Sequence, residues 1–507
     1  MPRSRRLLAE KMNTEVQHLI RWCTPSILPA QVRVADIYGS DISVSAHSFG
    51  ELLMPSASLR DLSENVAKSY GTQGTLISVN GTTGSNWIVA RYFAFGDEEI
   101  RSETASSSKP VVLVARNCHH SVVNAFKALG VRFRFIDCGY LERYGALLPP
   151  SLDQVVQGVK GVLSQGDRVA GVILSNPTYE GLSAQLGSIL DLLRDRIPDA
   201  TLVVDEAWGA HLPFADPGDH LPTSAIDLEA DIVLHSTHKQ GGSLQQTGLL
   251  HYRRKEFDEQ TLLKAYREYS TTSPSFHLVA SIEAAAVHLR SRGKSAIKDV
   301  IRHSTDLRKA IMGEKLDLEF LDEVLPDLGD ILEAGAYDRT KLTISTYRYP
   351  LAGYHIRDRL EHEFHIVAEK AGPNSLTFIS TYQLPPTAAK KTGRAIGRIL
   401  EGRKSRPAGP KAQPGGAFGG IGGELVLEPY QASRLTTEAT SLVKPAESVG
   451  RVSAEAIEIY PPGIPILLEG YRITQPLLEY LNRARRSGAQ LVCRDPEMKG
   501  LLVATEP

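Results

Sequence analysis

The sequence predicts an α/β protein whose largest domain is built on a mainly parallel, doubly wound sheet. Between about residues 60 and 290, short apolar runs rich in valine and isoleucine alternate with segments of helical periodicity, such as Ser121–Leu129 and Leu186–Leu193. The runs are almost continuously apolar, which is typical of strands covered by helices on both faces. The predicted strands are Thr75–Val79, Val111–Ala115, Val131–Ile136, Val169–Leu174, Thr201–Val204 and Asp231–Leu234.

The segments on either side of this major domain, predicted at residues 51–300, have different patterns. Residues 1–50 are expected to form a helical arm, because apolar residues recur at amphipathic spacing at Leu7, Met12, Val16 and Ile20. Residues 301–402 are predicted to form a smaller α+β domain. Its expected helices lie around 303–312 and 356–364, and its expected strands are Thr340–Thr346 and Ser375–Ile379.

The clearest boundary is the segment 403–424, which contains KSRPAGPKAQPGGAFGGIGG. Glycine and proline at this density cannot build a core, so we predict a linker. Residues 425–507 are then expected to form a C-terminal α/β domain.

Composition narrows the class of partner and the compartment. The chain has 57 Lys and Arg against 58 Asp and Glu, so its net charge does not favour nucleic acid or an acidic membrane, and a small-molecule partner is expected. The 4 cysteines are far apart and lack metal-ligand spacing, so no metal site is predicted. With neither a signal-peptide pattern nor an apolar run long enough for a membrane span, we expect a cytoplasmic protein.

Two charged residues at the ends of predicted strands carry the most chemical information. Asp205 ends the strand in VVDEAWGAH at 203–211, and Lys239 follows the next strand in HSTHKQGG at 235–242. Ligands of open α/β sheets bind beyond the carboxyl ends of the strands, so both side chains are expected in one crevice. Pyridoxal phosphate (PLP) needs this pair, because a lysine amine holds its aldehyde as an imine and a carboxylate keeps its pyridine nitrogen protonated.

Two further segments suit the same cofactor. NGTTGSN at 80–86 joins a strand to a helix start, where backbone N–H groups and hydroxyls can bind a phosphate. RNCHHS at 116–121 also opens a helix, and His119 there could stack on the cofactor ring. Taken alone, NGTTGSN is equally compatible with an ordinary capped loop, and a lone histidine at a helix start is more often a polar residue of the cap region.

Together the segments resemble the ornithine/lysine/arginine decarboxylase family, the bacterial branch of the fold-type I PLP enzymes. The resemblance runs in order through NGTTGSN, RNCHHS, SNPTYEG at 175–181, VVDEAWGAH and STHKQGGSLQQTGLLH at 236–251. It continues through STTSPSFHLVASIEAA at 270–285, DRTKL at 338–342 and GRVSAEAIEIYPPGIPILLEGYRIT at 450–474. It implies a fold-type I PLP-dependent transferase-like major domain and decarboxylation of an amino acid.

The resemblance also implies roles for individual residues and an assembly. Lys239 would hold PLP, Asp205 would face the pyridine nitrogen, and His119 and Ala207 would pack on the two ring faces. A homodimer or tetramer with active sites at the subunit interface is implied, in the short form that lacks an N-terminal response-regulator-like domain. The residues implied to bind the phosphate are Thr83, Gly84, Ser85, Ser236, His238 and, from a neighbouring subunit, Thr272.

Two departures from the family pattern concern the substrate. A proline-containing segment before the first strand is replaced by VSAHSFG at 44–50, and a usual Gly-Glu is replaced by Gly470-Tyr471. Losing that carboxylate would remove a partner for a substrate ammonium or guanidinium. Glu458, at a usually apolar position, is the candidate that compensates, and drift in a surface loop is the plainer explanation.

The leading functional hypothesis is decarboxylation of a basic amino acid, arginine first and then lysine or ornithine. The alternative is a specialised PLP enzyme acting on a modified amino acid by oxidative deamination, elimination or transamination. A third hypothesis, a silent paralogue that regulates a decarboxylase, is disfavoured because Lys239 and Asp205 are both present.

Overall fold

The computed structural model describes residues 14–28, 37–96, 108–253, 258–329, 331–407, 423–460 and 463–505. Its centre is a seven-stranded sheet. Six of its strands run parallel and one, Gly248–Tyr252, is antiparallel to both of its neighbours. In spatial order the strands are Gly74–Ser78, Gly248–Tyr252, Ile232–His235, Thr201–Asp205, Arg168–Ser175, Pro110–Ala115 and Phe133–Ile136.

The α/β prediction for the major domain is confirmed, and all six predicted strands are present within a few residues of their expected bounds. The antiparallel strand Gly248–Tyr252 was missed, because its five residues follow directly on the polar segment SLQQT without a helix between. The helices of this domain are Ala57–Tyr70, Gly81–Gly96, His120–Leu129, Leu152–Ser164, Leu186–Arg196, Thr237–Gln240, Glu259–Tyr269 and Phe276–Gly313.

The N-terminal segment differs from the predicted helical arm. Leu7 and Met12 lie outside the described residues. Val16–His18 is a single 3₁₀ turn, and Ile20–Trp22 is a strand that pairs in parallel with Ile366–Ala368. The helical prediction is therefore wrong at Ile20, where pairing with a distant strand outweighs the local amphipathic pattern.

The second sheet has four antiparallel strands, Glu319–Phe320, Lys341–Ser345, Ser375–Ile379 and Lys370–Ala371. The single 38-residue helix Phe276–Gly313 passes through the boundary predicted at residue 300, so the two units share it. The neighbouring helices are Gly353–Phe364 and Ala388–Leu400. Two short ribbons pair Tyr140–Leu141 with Ala146–Leu147 and Leu182–Ala184 with Leu332–Tyr337.

Beyond the predicted linker, of which 408–422 lie outside the described residues, the chain forms the small sheet Ile464–Leu467, Ile457–Tyr460 and Gln490–Val492. The helix Gln475–Arg486 covers it, and Thr440–Val443 pairs with Leu501–Ala504. Apolar side chains of this region and of the four-stranded sheet belong to one continuous core, separate from that of the major sheet. The segments 301–402 and 425–507 are thus packed together.

A buried arginine joins the C-terminal segment to the major domain. The Arg116 guanidinium donates hydrogen bonds to the carbonyls of Pro465 (2.6 Å) and Ile466 (2.9 Å), and burial lowers its pKa. The amide of His120 also donates to the carbonyl of Gly463 at 2.9 Å. These bonds hold the strand Ile464–Leu467 against the carboxyl ends of the major sheet.

Candidate active site

Asp205 and Lys239 meet at the carboxyl ends of adjacent parallel strands. Asp205 is the last residue of Thr201–Asp205 and stands in register with Leu234 of the neighbouring strand. That strand leads into the one-turn helix Thr237–Gln240, which carries Lys239. Both side chains line a cavity of about 510 Å³ that lies between the major sheet, the second sheet and the C-terminal segment.

The Asp205 carboxylate forms part of the cavity wall and is 5% exposed. Its oxygens accept hydrogen bonds from the Asn86 side-chain amide and the Ala207 backbone amide, each at 3.2 Å. Burial raises the pKa of Asp205, whereas the Asn86 hydrogen bond and the charge of Lys239 oppose that rise. A buried carboxylate whose pKa is raised by desolvation gains from a cationic N–H partner, because the partner's charge favours the ionised form.

Lys239 is a desolvated amine held against an aromatic ring. Its Nζ lies 3.9 Å from the centre of the Trp208 ring. Burial lowers its pKa to about 8, against the opposing charges of Asp205 and Glu369. At pH 7 about a tenth of the amine is then uncharged, which is the form that attacks an aldehyde.

One end of the cavity suits an anion. The first turn of the helix Gly81–Gly96 lines it through Thr82 and Thr83, where helix geometry leaves N–H groups without intrahelical acceptors. The Thr82 and Ser236 hydroxyls lie 3.0 Å apart, and both residues line the cavity. His238 also lines it and lies with Nδ1 2.7 Å from the carbonyl of Thr247, so Nδ1 carries the proton.

His119 and Ala207 both line the same cavity. His119 caps the helix His120–Leu129, and its Nδ1 accepts the amide hydrogen of Ser121 at 3.3 Å. The proton of the neutral ring is thereby assigned to Nε2. Burial, the adjacent His120 and the charge of Lys239 lower the pKa of His119 to about 3, so the ring is uncharged at neutral pH. A neutral, flat ring can stack on an aromatic cofactor.

Two of the predicted phosphate ligands, Ser85 and Gly84, do not line the cavity. Ser85 is fully buried, and its hydroxyl points to the carbonyl of Gly81 at 3.5 Å rather than into the cavity. Gly84 does not line the cavity either, because it lies against the side chains of Asn80 and Ser78, which an added Cβ would approach to 3.0 Å. The sequence pattern indicated the helix start but not the face that each residue takes, and it did not single out Thr82, which lines the cavity.

The two predicted substrate residues, Glu458 and Tyr471, do not line the cavity. Glu458 is 6% exposed and lies with its carboxylate 2.5 Å from His120 Nδ1, on the face of its strand opposite to that of Ile459. Tyr471 packs against Phe135, with ring centres 6.3 Å apart, on the outer edge of the major sheet. Side chains alternate between the two faces of a strand, so the Glu458 side chain points away from the cavity. Tyr471 lies further along the chain and packs outside the cavity.

Thr272 lies in an exposed segment away from the cavity of its own chain, so its predicted contact with a second subunit stays a prediction.

Other residues of the site were missed. Asn86 could have been found, because it follows Thr82 by one helical turn in the quoted motif. Trp208 stands in the quoted VVDEAWGAH, but nothing in that string indicates that its ring lies under Lys239.

Comparison with protein families places most of the chain in one group. Residues 35–383 match the model described as Orn/Lys/Arg decarboxylase, major domain, and residues 422–506 match the corresponding C-terminal domain. The arginine decarboxylase of Halalkalibacterium halodurans is 28% identical over 438 residues, which cover 86% of this chain and 83% of that protein. The constitutive lysine decarboxylase of Escherichia coli is 24% identical over 522 residues, covering 86% and 69%.

Solved structures show the same fold. The constitutive lysine decarboxylase of E. coli aligns with a TM-score of 0.70 at 22% identity, covering 92% of this chain and 76% of that one. The lysine decarboxylase of Francisella novicida aligns with a TM-score of 0.73 at 21% identity, covering 92% and 75%. Within the described ranges, none of the helices has the length and apolar character that a membrane span requires.

Proposed function

Because the chain belongs to the ornithine/lysine/arginine decarboxylase family and is an amino-acid decarboxylase, we propose that it removes CO₂ from a basic amino acid with PLP held by Lys239. The observation that carries the proposal is the meeting of Lys239, Asp205 and the start of the helix Gly81–Gly96 around one cavity. Arginine is the first candidate substrate and lysine or ornithine the next, in line with the relatives that are named arginine and lysine decarboxylases.

The chemistry of the cavity wall fits PLP. A buried carboxylate at Asp205 suits the pyridinium nitrogen, and the desolvated Lys239 amine suits the aldehyde. The Thr82 and Ser236 hydroxyls, together with the helix start, suit the phosphate, to which His238 can add a donor only if it becomes protonated. When bound, PLP supplies an electron sink for the bond to the departing carboxylate.

The chain's own residues prepare this reaction. The Asp205 charge would keep the ring nitrogen protonated, and Asn86 would keep that carboxylate in place. His119, whose protonated Nε2 is fixed by the bond at Nδ1, would pack on the ring without adding a charge that opposes the cation at the nitrogen. Trp208 covers the Lys239 amine and limits the access of water to it.

The proposal is tested on purified holoenzyme. Wild-type protein should absorb visible light from the imine, and Lys239→Ala should abolish that band unless an external amine is added. Lys160→Ala, a substitution of an exposed lysine, is the matched control. Arginine, lysine and ornithine are then supplied, and CO₂, amine, ammonia and peroxide are measured. Ammonia or peroxide without stoichiometric CO₂ would overturn simple decarboxylation and favour the alternative reactions on a modified amino acid.

The proposed assembly is a homodimer or tetramer in which Thr272 reaches the phosphate site of the neighbouring subunit. The exposure of the segment 271–273 supports this. Homodimers of the Lys239→Ala variant and of the Thr272→Ala variant should each be inactive or weak. A mixed dimer of one subunit of each variant should regain activity, because one of its two sites keeps both residues. Subunit exchange without regained activity would contradict the assignment.

A further inference from the structure

Directly after Asp205 the chain carries a second acid, Glu206, which is fully buried and does not line the cavity. Its carboxylate accepts hydrogen bonds from the Ser224 hydroxyl at 2.7 Å, the Ala225 backbone amide at 2.8 Å and His235 Nε2 at 2.7 Å. His235 is also fully buried and also lies outside the cavity lining. The proposed reaction assigns no role to this buried pair.

The Glu206–His235 pair joins the two strands whose ends carry the proposed cofactor residues. Glu206 follows Asp205, the last residue of its strand. His235 is the last residue of the neighbouring parallel strand, which leads directly into the one-turn helix that carries Lys239. The hydrogen bond between the two side chains therefore helps to set the distance between the Asp205 end and the Lys239 end of the site.

The Glu206 side chain also supports the turn that carries Trp208. The Gly209 amide donates to the Glu206 carbonyl at 2.8 Å, and a Cβ added at Gly209 would approach Glu206 Cγ to 2.4 Å. The turn thus lies directly on the Glu206 side chain. Because the Trp208 ring lies 3.9 Å from Lys239 Nζ, a displacement of Glu206 reaches Lys239 by two routes, through His235 and through Trp208.

We propose that Glu206 and His235 are positioning residues, which hold Asp205 and Lys239 at the separation that PLP requires. This inference rests on the proposed function, since the separation matters only to a molecule that both residues bind. Groups that touch neither cofactor nor substrate can act in this way, because a misplacement of about 1 Å can cost about 100-fold in rate. The rival explanation is that the pair stabilises the core without affecting the site.

The chain offers a matched control at the other end of the same two strands. Asp231, just before the strand that ends at His235, is 2% exposed and accepts the Leu202 backbone amide at 2.8 Å. Leu202 belongs to the strand that ends at Asp205. Asp231 therefore joins the same two strands through a buried carboxylate, but at their amino ends and outside the cavity lining.

The test measures PLP affinity by fluorescence titration of folded apoenzyme, together with the imine band at saturating PLP. Glu206→Ala should weaken PLP binding about tenfold or more, whereas Asp231→Ala should change it less than about twofold. Both variants lose buried hydrogen bonds and should lower the free energy of unfolding in urea denaturation. A purely structural role of Glu206 would lower that free energy without changing the PLP affinity of the folded protein.

A second variant carries the test if Glu206→Ala does not fold. His235→Phe keeps a ring in the core and removes the hydrogen bond to Glu206, so it should weaken PLP binding by a similar factor. Where both single variants fold, the double variant should lose no more than the weaker single one, because both changes break the same contact.

Glu206→Gln is the conservative variant that should restore the site. Its amide oxygen can accept the Ala225 amide, and its NH₂ group can donate to Ser224 Oγ and His235 Nε2. His235 can then carry its proton on Nδ1, which has no hydrogen-bond partner in the described part of the chain. The geometry is kept without the charge, so PLP affinity should stay within about threefold of wild type.

The possible results separate this inference from the proposed function. The inference alone is refuted if wild type forms the imine but Glu206→Ala and His235→Phe bind PLP as wild type does, if Asp231→Ala weakens binding equally, or if Glu206→Gln weakens it as much as Glu206→Ala. The expected pattern without CO₂ release from any basic amino acid refutes decarboxylation and leaves the positioning role standing. Absence of an imine band in wild type refutes both.

Discussion

The low pKa of Lys239 should appear in how fast the apoenzyme captures PLP as a function of pH. Only the neutral amine attacks the aldehyde, so the rate constant follows the neutral fraction of Lys239. Burial lowers that pKa from 10.5 to about 8. At pH 7 the neutral fraction is then about 300-fold larger than for an ordinary lysine, since each pKa unit is a factor of ten.

The assay is stopped-flow mixing of apoenzyme with excess PLP, followed at the imine band between pH 6 and 11. The rate constant should rise about tenfold per pH unit up to an inflection near pH 8 and level off above it. Asp205→Asn removes the carboxylate whose charge raises the Lys239 pKa, so its inflection should move to lower pH. An inflection above pH 10 in wild type, or an upward shift in the variant, would refute the reasoning.

The same shift has a consequence for stability. Because folding lowers the pKa of Lys239, this residue lowers the free energy of unfolding at any pH where the lysine is charged in the unfolded chain. The loss is fully present below about pH 8, decreases above it and is gone once the pH has risen through 10.5. Replacing Lys239 by Met should therefore stabilise the apoenzyme at pH 7, by up to about 3 kcal/mol. Urea denaturation at pH 7 and pH 10.5 measures this, and an advantage that grows with pH would contradict it.

Three further predictions concern other contacts of the site. Asn86→Ala removes a donor that lowers the Asp205 pKa, so that pKa should rise further and PLP affinity should fall about tenfold, measured by fluorescence titration. Arg116→Met removes the hydrogen bonds to the carbonyls of Pro465 and Ile466 and should lower the free energy of unfolding by about 2–4 kcal/mol in urea denaturation. Tyr471→Glu should not raise kcat/KM for arginine, lysine or ornithine, because Tyr471 packs on Phe135 outside the cavity.

Much of the fold was predictable because strands buried on both faces of a parallel sheet have an almost continuously apolar sequence. Runs such as Val111–Ala115 are apolar on both faces, and their strand ends gave the direction in which Asp205 and Lys239 point. Strand Ile20–Trp22 was missed because it depends on a distant partner strand rather than on its own pattern. Pairing across hundreds of residues has no local signature.

Site residues could be predicted where the type of residue determines its role. They were harder to predict where the role depends on the direction in which the side chain points. An acid and a lysine at neighbouring strand ends indicate their roles by residue type. Thr82, Ser85 and Asn86 are all polar, and their roles depend on which face of the helix each residue occupies. Within the helix Gly81–Gly96, a rotation of about 100° per residue separates a cavity hydroxyl from a buried one. Sequence alone did not fix the phase of that rotation.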